Sequence, residues 1–183
     1  MALVTPPRAP SRATGEIEKL LVDLGHPQLP ERDDEQDSLA DQHDELFEEI
    51  AAFARRGWAY RFDAESGMDY TPREYELVLQ EILRPLGVSE VELDDKAGIL
   101  HVDARKIHVQ KPDQDDDWLD VGWIFEVANL AVSETGWLLL GIDDTDLHEV
   151  IVGVVPSDVW SAINERHLGG VWRAMTPVET LFN

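Results

Sequence analysis

The stretch from Asp113 to Pro156, DQDDDWLDVGWIFEVANLAVSETGWLLLGIDDTDLHEVIVGVVP, constrains this chain more than any other. A cluster of aspartates opens a segment that, wound as a helix, is apolar on almost every face. A helix with no polar side has to be buried. Gly136 stops it. The two apolar runs that follow, Trp137 to Ile142 and Val150 to Val155, have strand length and strand composition. They are joined by the acidic turn Asp143-Asp144-Thr145-Asp146. The stretch therefore predicts a core in which a buried helix lies beside the middle of a sheet, with carboxylates at each exposed end.

The rest of the chain alternates helical and extended patterns around that core. Residues 1–14 contain proline and arginine without periodic apolar positions and read as a flexible tail, leaving 15–183 as one domain. Ile17, Leu20, Leu21 and Leu24 form one face of a short helix ended by Gly25. The segment HPQLPERDDEQ is a linker to a second helix, with Ser38 as N-cap and Leu39, His43, Leu46, Phe47, Ile50 and Ala54 as its apolar stripe. Arg55 and Arg56 suit the negative end of that helix. Its outer face carries Asp41, Asp44, Glu45, Glu48 and Glu49, like charges that cost about 0.2–0.5 kcal/mol per pair.

Trp58, Tyr60 and Phe62 alternate with polar positions, as in a half-buried strand. Thr71-Pro72-Arg73-Glu74 is a capping box with proline at the first helical position, and an apolar stripe continues to Leu86. Val88 to Leu93 and Ile99 to Val102 form a hairpin around a glycine-containing turn, with a further strand over Ile107 to Gln110. A helix opens at Pro156-Ser157-Asp158 and runs to about His167. The last residues, VWRAMTPVETLFN, dock back on the domain, starting with an edge strand.

The predicted class is α+β: a single domain with an antiparallel or mixed sheet and helices packed on it. One internal echo extends this. Asp44 to Leu83 and Trp118 to Ile163 both run helix, Gly-Trp, strand, acidic loop, then a proline-led helix, which reads either as two α-β-α half-units or as coincidence.

At 183 residues the chain can bury a full core without metals or disulfides, and it has no cysteine. Thiolate zinc sites, cysteine nucleophiles and disulfide frameworks are excluded together. No run approaches the roughly 18 apolar residues of a membrane span. The N-terminus lacks the apolar core of a signal peptide, so a cytoplasmic location is expected. Thirty-eight acids against fifteen bases give a net charge of −23. Such a polyanion repels nucleic acid and anionic membrane and attracts basic partners, while the same charge also serves solubility.

Individual motifs exclude more chemistry than they suggest. Asp113, Asp115 and Asp117 have the first spacings of a calcium loop. The required glycine is Trp118, however, and the required glutamate is Ile124, so no EF-hand is present. The six histidines show no HxxxH or HExxH pattern. His101, Asp103 and His108 could meet across neighbouring strands, and His148 follows the DDTD turn. Nucleophile elbows and phosphate-binding glycine loops are absent. Asp143, Asp144 and Asp146 sit in a turn, where water holds carboxylates near their ordinary pKa, a poor setting for acid-base catalysis. No cofactor, metal or catalytic residue is therefore expected. The tryptophans Trp123, Trp137, Trp160 and Trp172 read as packing. Trp118, beside the aspartates, is the one placed to anchor an interface.

Length, lack of cysteine, the α+β pattern and the clusters DQDDD and DDTD together resemble the small acidic immunity proteins that bacteria make against toxins. The resemblance implies stoichiometric masking of a basic partner, such as a toxin domain, without catalysis. Its contact residues would be Asp113, Asp115, Asp116, Asp117, Trp118, Asp143, Asp144 and Asp146. Two alternatives stand beside it: a regulatory or housekeeping domain whose charge only solubilises, and a metal-dependent hydrolase using the acidic turn with His148.

Overall fold

The run Glu149–Pro156 (β6) is the middle of the structure because every residue from Val150 to Val155 is buried. In the computed structural model, which describes residues 12–26, 52–64, 71–112, 119–142, 149–168, 170 and 172–175, β6 is flanked by Ala59–Asp63 (β1) and Trp137–Ile142 (β5). Trp172–Ala174 (β7) completes a four-stranded sheet in the order β1-β6-β5-β7, antiparallel throughout. Val150, Val152 and Val154 enter one apolar cluster, and Ile151 and Val155 enter another. A strand covered on both faces has no use for alternation, which explains the unbroken apolar run.

The first face is covered by Pro72–Leu83 (α2) and Val121–Val132 (α3). A second, three-stranded sheet joins the same cluster, built from Val91–Asp94 (β2), Ile99–Val102 (β3) and Arg105–His108 (β4). The opposite face is covered by Arg12–Asp23 (α1), the helical residues 52–54 and Ser157–Glu165 (α4). The chain is thus an α+β domain with helices on both sides of its main sheet.

Local chemistry explains most boundaries. Glu74 Oε2 accepts the Thr71 N–H at 2.6 Å, the reciprocal half of a capping box, and Gly87 leaves the following 3₁₀ turn at φ 78°. Asp120 caps α3 by accepting the Trp123 N–H at 2.9 Å, while its own N–H is held by the Tyr75 hydroxyl at 3.1 Å.

Several elements differ from their sequence patterns. α1 begins at Arg12, inside the span read as a tail, because residues 12–14 continue the helical backbone. The core helix begins at Val121, not at the aspartate cluster, and ends at Val132 before Gly136. Its cap is Asp120, the acid adjoining the apolar periodicity. β2 starts at Val91, three residues late, and β4 starts at Arg105, two residues early, because Asp103-Ala104 alone makes the turn between β3 and β4. The extended segments form two sheets where one was expected. Of the second helix only 52–54 belong to the described residues. Among the described residues of the first arm of the internal echo one strand, β1, precedes α2, whereas the second arm holds the hairpin β5-β6.

Arg56 is the buried charged residue among those described. Its guanidinium reaches Glu18 on α1 at 2.8 Å, donates to the Ala52 carbonyl at 3.0 Å and lies over the Trp58 ring at 5.9 Å. Its sequence reading as a helix-end charge accounts for the Ala52 contact. The ion pair fastens α1 to the chain entering β1. Removing one member of such a pair strands the other without compensation. Arg56→Ala is expected to cost about 3 kcal/mol in urea unfolding. Replacing Glu18 and Arg56 together by Leu and Met should recover most of that loss.

Gly153 is required by packing. A Cβ there would stand 3.0 Å from Cζ3 and 3.2 Å from Cη2 of Trp172, whose ring lies across β5 onto β6 at 2% exposure. Phe53 meets the same ring edge-on at 5.4 Å, so the ring has little room to retreat. Gly153→Ala is expected to destabilise by about 1–3 kcal/mol. The loss should be smaller in a Trp172→Leu background, a coupling read from a double-mutant cycle.

Candidate functional site

The eight residues expected to contact a partner, Asp113, Asp115, Asp116, Asp117, Trp118, Asp143, Asp144 and Asp146, lie outside the described residues, as does His148. The structure places the residues on either side of them. The Leu119 N–H, where the chain returns from 113–118, donates to the Ala64 carbonyl at 2.9 Å. Glu149, where it returns from 143–148, is paired with Asp63. Asp63 and Ala64 are consecutive at the end of β1, so both returns lie about two strand spacings apart, roughly 10 Å. Ile142, where the second segment departs, is paired with Trp172 at the same end of the sheet. The residues that follow two segments about 30 positions apart in sequence are thus held at one end of one sheet. This juxtaposition depends on β1 lying beside β6, a pairing with no local signal.

The tryptophans that are described serve packing. Trp123, Trp160 and Trp172 are buried, and Trp58 and Trp137 meet edge to face at 6.0 Å. Trp123 stacks edge-on against Tyr75 at 5.1 Å and donates its Nε1–H to the Gln110 carbonyl at 2.7 Å.

The histidine candidates separate. His101 is paired with Lys106, and His108 with Ile99, so the two rings occupy diagonal positions on neighbouring strands. Asp103 is turned away into the β3-β4 turn at φ 48°, where its Oδ1 accepts the Ser89 hydroxyl at 2.8 Å and the Ser89 and Glu90 N–H groups at 3.0 Å each. His26 packs edge-on to Trp58 at 5.3 Å. Among the described residues no group of three or more His, Cys, Asp or Glu side chains could hold a metal ion. No helix among them is long and apolar enough to cross a membrane.

The described surface includes two clefts beside the small sheet. One, of about 620 Å³, lies between α2 and β2 and is lined by Arg73, Glu76, Gln80, Ser89, Glu90, Val91 and Glu92. Its central carboxylate is committed: Glu76 accepts the Leu93 N–H at 2.9 Å and pairs with Arg73 at 3.1 Å. The other, of about 310 Å³, lies between β4 and α3, with His108, Gln110, Trp123, Glu126, Val127 and Leu130 on its walls. The sequence reading singled out neither. The signal for the second was the basic run Arg105-Lys106-Ile107-His108-Val109-Gln110-Lys111 within a very acidic chain.

Comparison with known protein families, with curated proteins and with solved structures finds no match to this chain.

The hydrogen bonds from Ser89 and Glu90 hold the Asp103 carboxyl below its ordinary 3.8, the Ser89 hydroxyl contributing most. A carboxyl whose pKa falls on folding stabilises the fold fully above its unfolded value, and that contribution is lost as pH falls through the lowered one. Asp103→Asn keeps a side chain tolerant of positive φ and removes the charge. Its melting temperature should lie below wild type at neutral pH, with the gap closing as pH falls below 3.8. A gap constant across that range would show that the anionic form has no special role.

Proposed function

We propose that this chain is an acidic interaction protein that binds and masks a basic protein partner, in the manner of immunity-type inhibitors of toxin domains. The observation that supports the reading is that Leu119 and Glu149, the residues following 113–118 and 143–148, are both held at one end of the main sheet, beside Ala64 and Asp63. Those two segments contribute Asp113, Asp115, Asp116, Asp117, Asp143, Asp144 and Asp146. In a molecule with net charge −23, carboxylates extending from that one end would make a directional field, whereas the same charges spread evenly would only solubilise. Such a field favours lysine- and arginine-rich surfaces and disfavours nucleic acid. No catalysis is part of this reading, and Trp118 supplies its apolar anchor.

The test uses the basic protein that the immobilised chain retains at low salt and releases at high salt. Rim charges act mainly on the association rate. Neutralising Asp115, Asp116, Asp144 and Asp146 together to Asn should slow association about tenfold or more at low salt. The difference should shrink as added salt shortens the screening length to about 8 Å. Trp118→Ala should instead speed dissociation, because an aromatic anchor acts through desolvated contact. Wild-type association by the quadruple variant at low salt would reduce the acidic segments to a solubilising surface.

A further inference from the structure

The three-stranded sheet ends in two edges, and among the described residues a side chain caps a backbone N–H on the β2 edge. In the register of β3 and β4, Val102 pairs with Arg105 across the two-residue turn and the Val109 N–H donates to the Gly98 carbonyl at 3.0 Å. Antiparallel ladders alternate, so the backbone groups of Arg105, Ile107 and Val109 point toward β3 and those of Lys106, His108 and Gln110 point outward. Gln110 confirms the phase, since its carbonyl accepts the Trp123 Nε1–H from α3. By the same alternation Leu93 points outward from β2, and its N–H is taken by Glu76. Among the described residues no neighbouring element covers the outward groups of Lys106 and His108, and His108 lines the cleft of about 310 Å³ whose far wall is α3.

That cleft has the composition of a strand-binding groove. Trp123, Val127 and Leu130 form its apolar wall, and Leu130 is 39% exposed although it belongs to the core helix. At its upper end the Arg105 guanidinium donates to the Ala131 carbonyl at 2.8 Å, and at its lower end Trp123 holds Gln110, so β4 and α3 are tied at both ends and parted between. The strand that borders the groove is basic. Arg105, Lys106 and Lys111 place three of the chain's fifteen basic residues in seven positions that contain no acid, with His108 among them. Lys106, His108 and Lys111 are exposed, and Glu126 is the single acid on the lining.

We propose that the outer edge of β4 is a docking strand for an extended, acidic segment of a partner protein. The segment would add as a fourth strand to the small sheet. Its backbone would pair with Lys106 and His108, alternate apolar side chains would rest on Trp123, Val127 and Leu130, and its carboxylates would face Lys106 and Lys111. A second copy of the chain is a poor occupant, because antiparallel pairing of two β4 edges sets like charges opposite one another and the molecules already repel. Lysine on an edge strand also resists self-pairing. That role and this one are compatible, since a charge that refuses its own copy admits the opposite sign. This surface is distinct from the acidic end of the main sheet, and its success or failure does not decide that reading.

The probe is a blocked seven-residue peptide alternating glutamate and valine, followed by fluorescence of a terminal dye and by amide hydrogen exchange of the protein. Saturable binding with slowed exchange at 106–108 is the expected result. His108→Pro removes an outward N–H without touching a β3 bond, and proline is tolerated on edges. It should abolish binding while the melting temperature stays close to wild type. Lys106→Glu should weaken binding about tenfold or more, and Lys19→Glu, on α1 at the opposite face of the main sheet, should not. The proposal is overturned if a lysine-valine peptide binds equally well or if His108→Pro binds like wild type. It is equally overturned if the glutamate peptide fails to saturate at millimolar concentration, or binds only after removal of 176–183, which would make the chain's own end the occupant.

Discussion

Two-sided burial of β6 is the constraint from which the rest of this structure follows. A strand whose residues from Val150 to Val155 are all buried needs a cover on each face. Each buried Val or Ile contributes about 1.5–3 kcal/mol relative to an exposed one, but only where that cover is complete. α2, α3 and the small sheet complete one side, and α1, α4 and the Phe53 region complete the other. The demand reaches distant residues. Gly153 has to lack a side chain so that Trp172 can close the second face, and Arg56 has to be buried so that α1 can be fastened over it.

Charge is arranged around that core with a consistent logic. A net charge of −23 destabilises any compact form through self-repulsion. The fold tolerates it because described acids are used locally. Asp120 caps α3, Glu74 closes α2, Glu76 occupies the β2 edge and Asp103 binds three donors at a turn. In each case a carboxylate accepts N–H or O–H groups that would otherwise lack partners, a stronger use of charge than a solvated ion pair. The acids of 113–117 and 143–146 have no such local duty in the sequence pattern. That is why the proposed function rests on the shared location of Leu119 and Glu149, the residues that follow them.

How much of this was legible beforehand depended on whether the signal was local. β5 matches its expected bounds because Gly136 and the acidic turn punctuate both ends of a short apolar run. α2 matches because its capping box and its proline are adjacent. The start of α3 was misplaced because five aspartates precede it, and only geometry distinguishes the one that caps. Strand partners were not legible at all. Nothing in Ala59–Asp63 says that it lies beside β6, and nothing in Val88–Gln110 says that its three strands close as a separate sheet. The proposed acidic surface inherits that gap: its residues were visible, while the nearness of Leu119 and Glu149, which follow them, rests on the non-local pairing of Asp63 with Glu149.

The β4 edge shows the converse. Its basic run was plain in the sequence but had no meaning there, since alternating Lys, Ile, His and Val describes any half-buried strand. It gains one only when the ladder phase turns Lys106 and His108 outward and α3 stands off to leave a groove. An edge with unpaired backbone is a hazard in a folded protein, and natural sheets blunt such edges with bulges, cover or charge. The β2 edge is blunted by cover, through Glu76. The β4 edge is blunted by charge alone, and charge is the one device that discriminates. A helix laid over the edge would exclude every partner, whereas Lys106 and Lys111 exclude basic strands and copies of this chain's β4 while lowering the cost of approach for an acidic one. Protection by charge on one edge beside a side-chain cap on the other is the pattern expected where a sheet is built to be extended by a particular kind of strand.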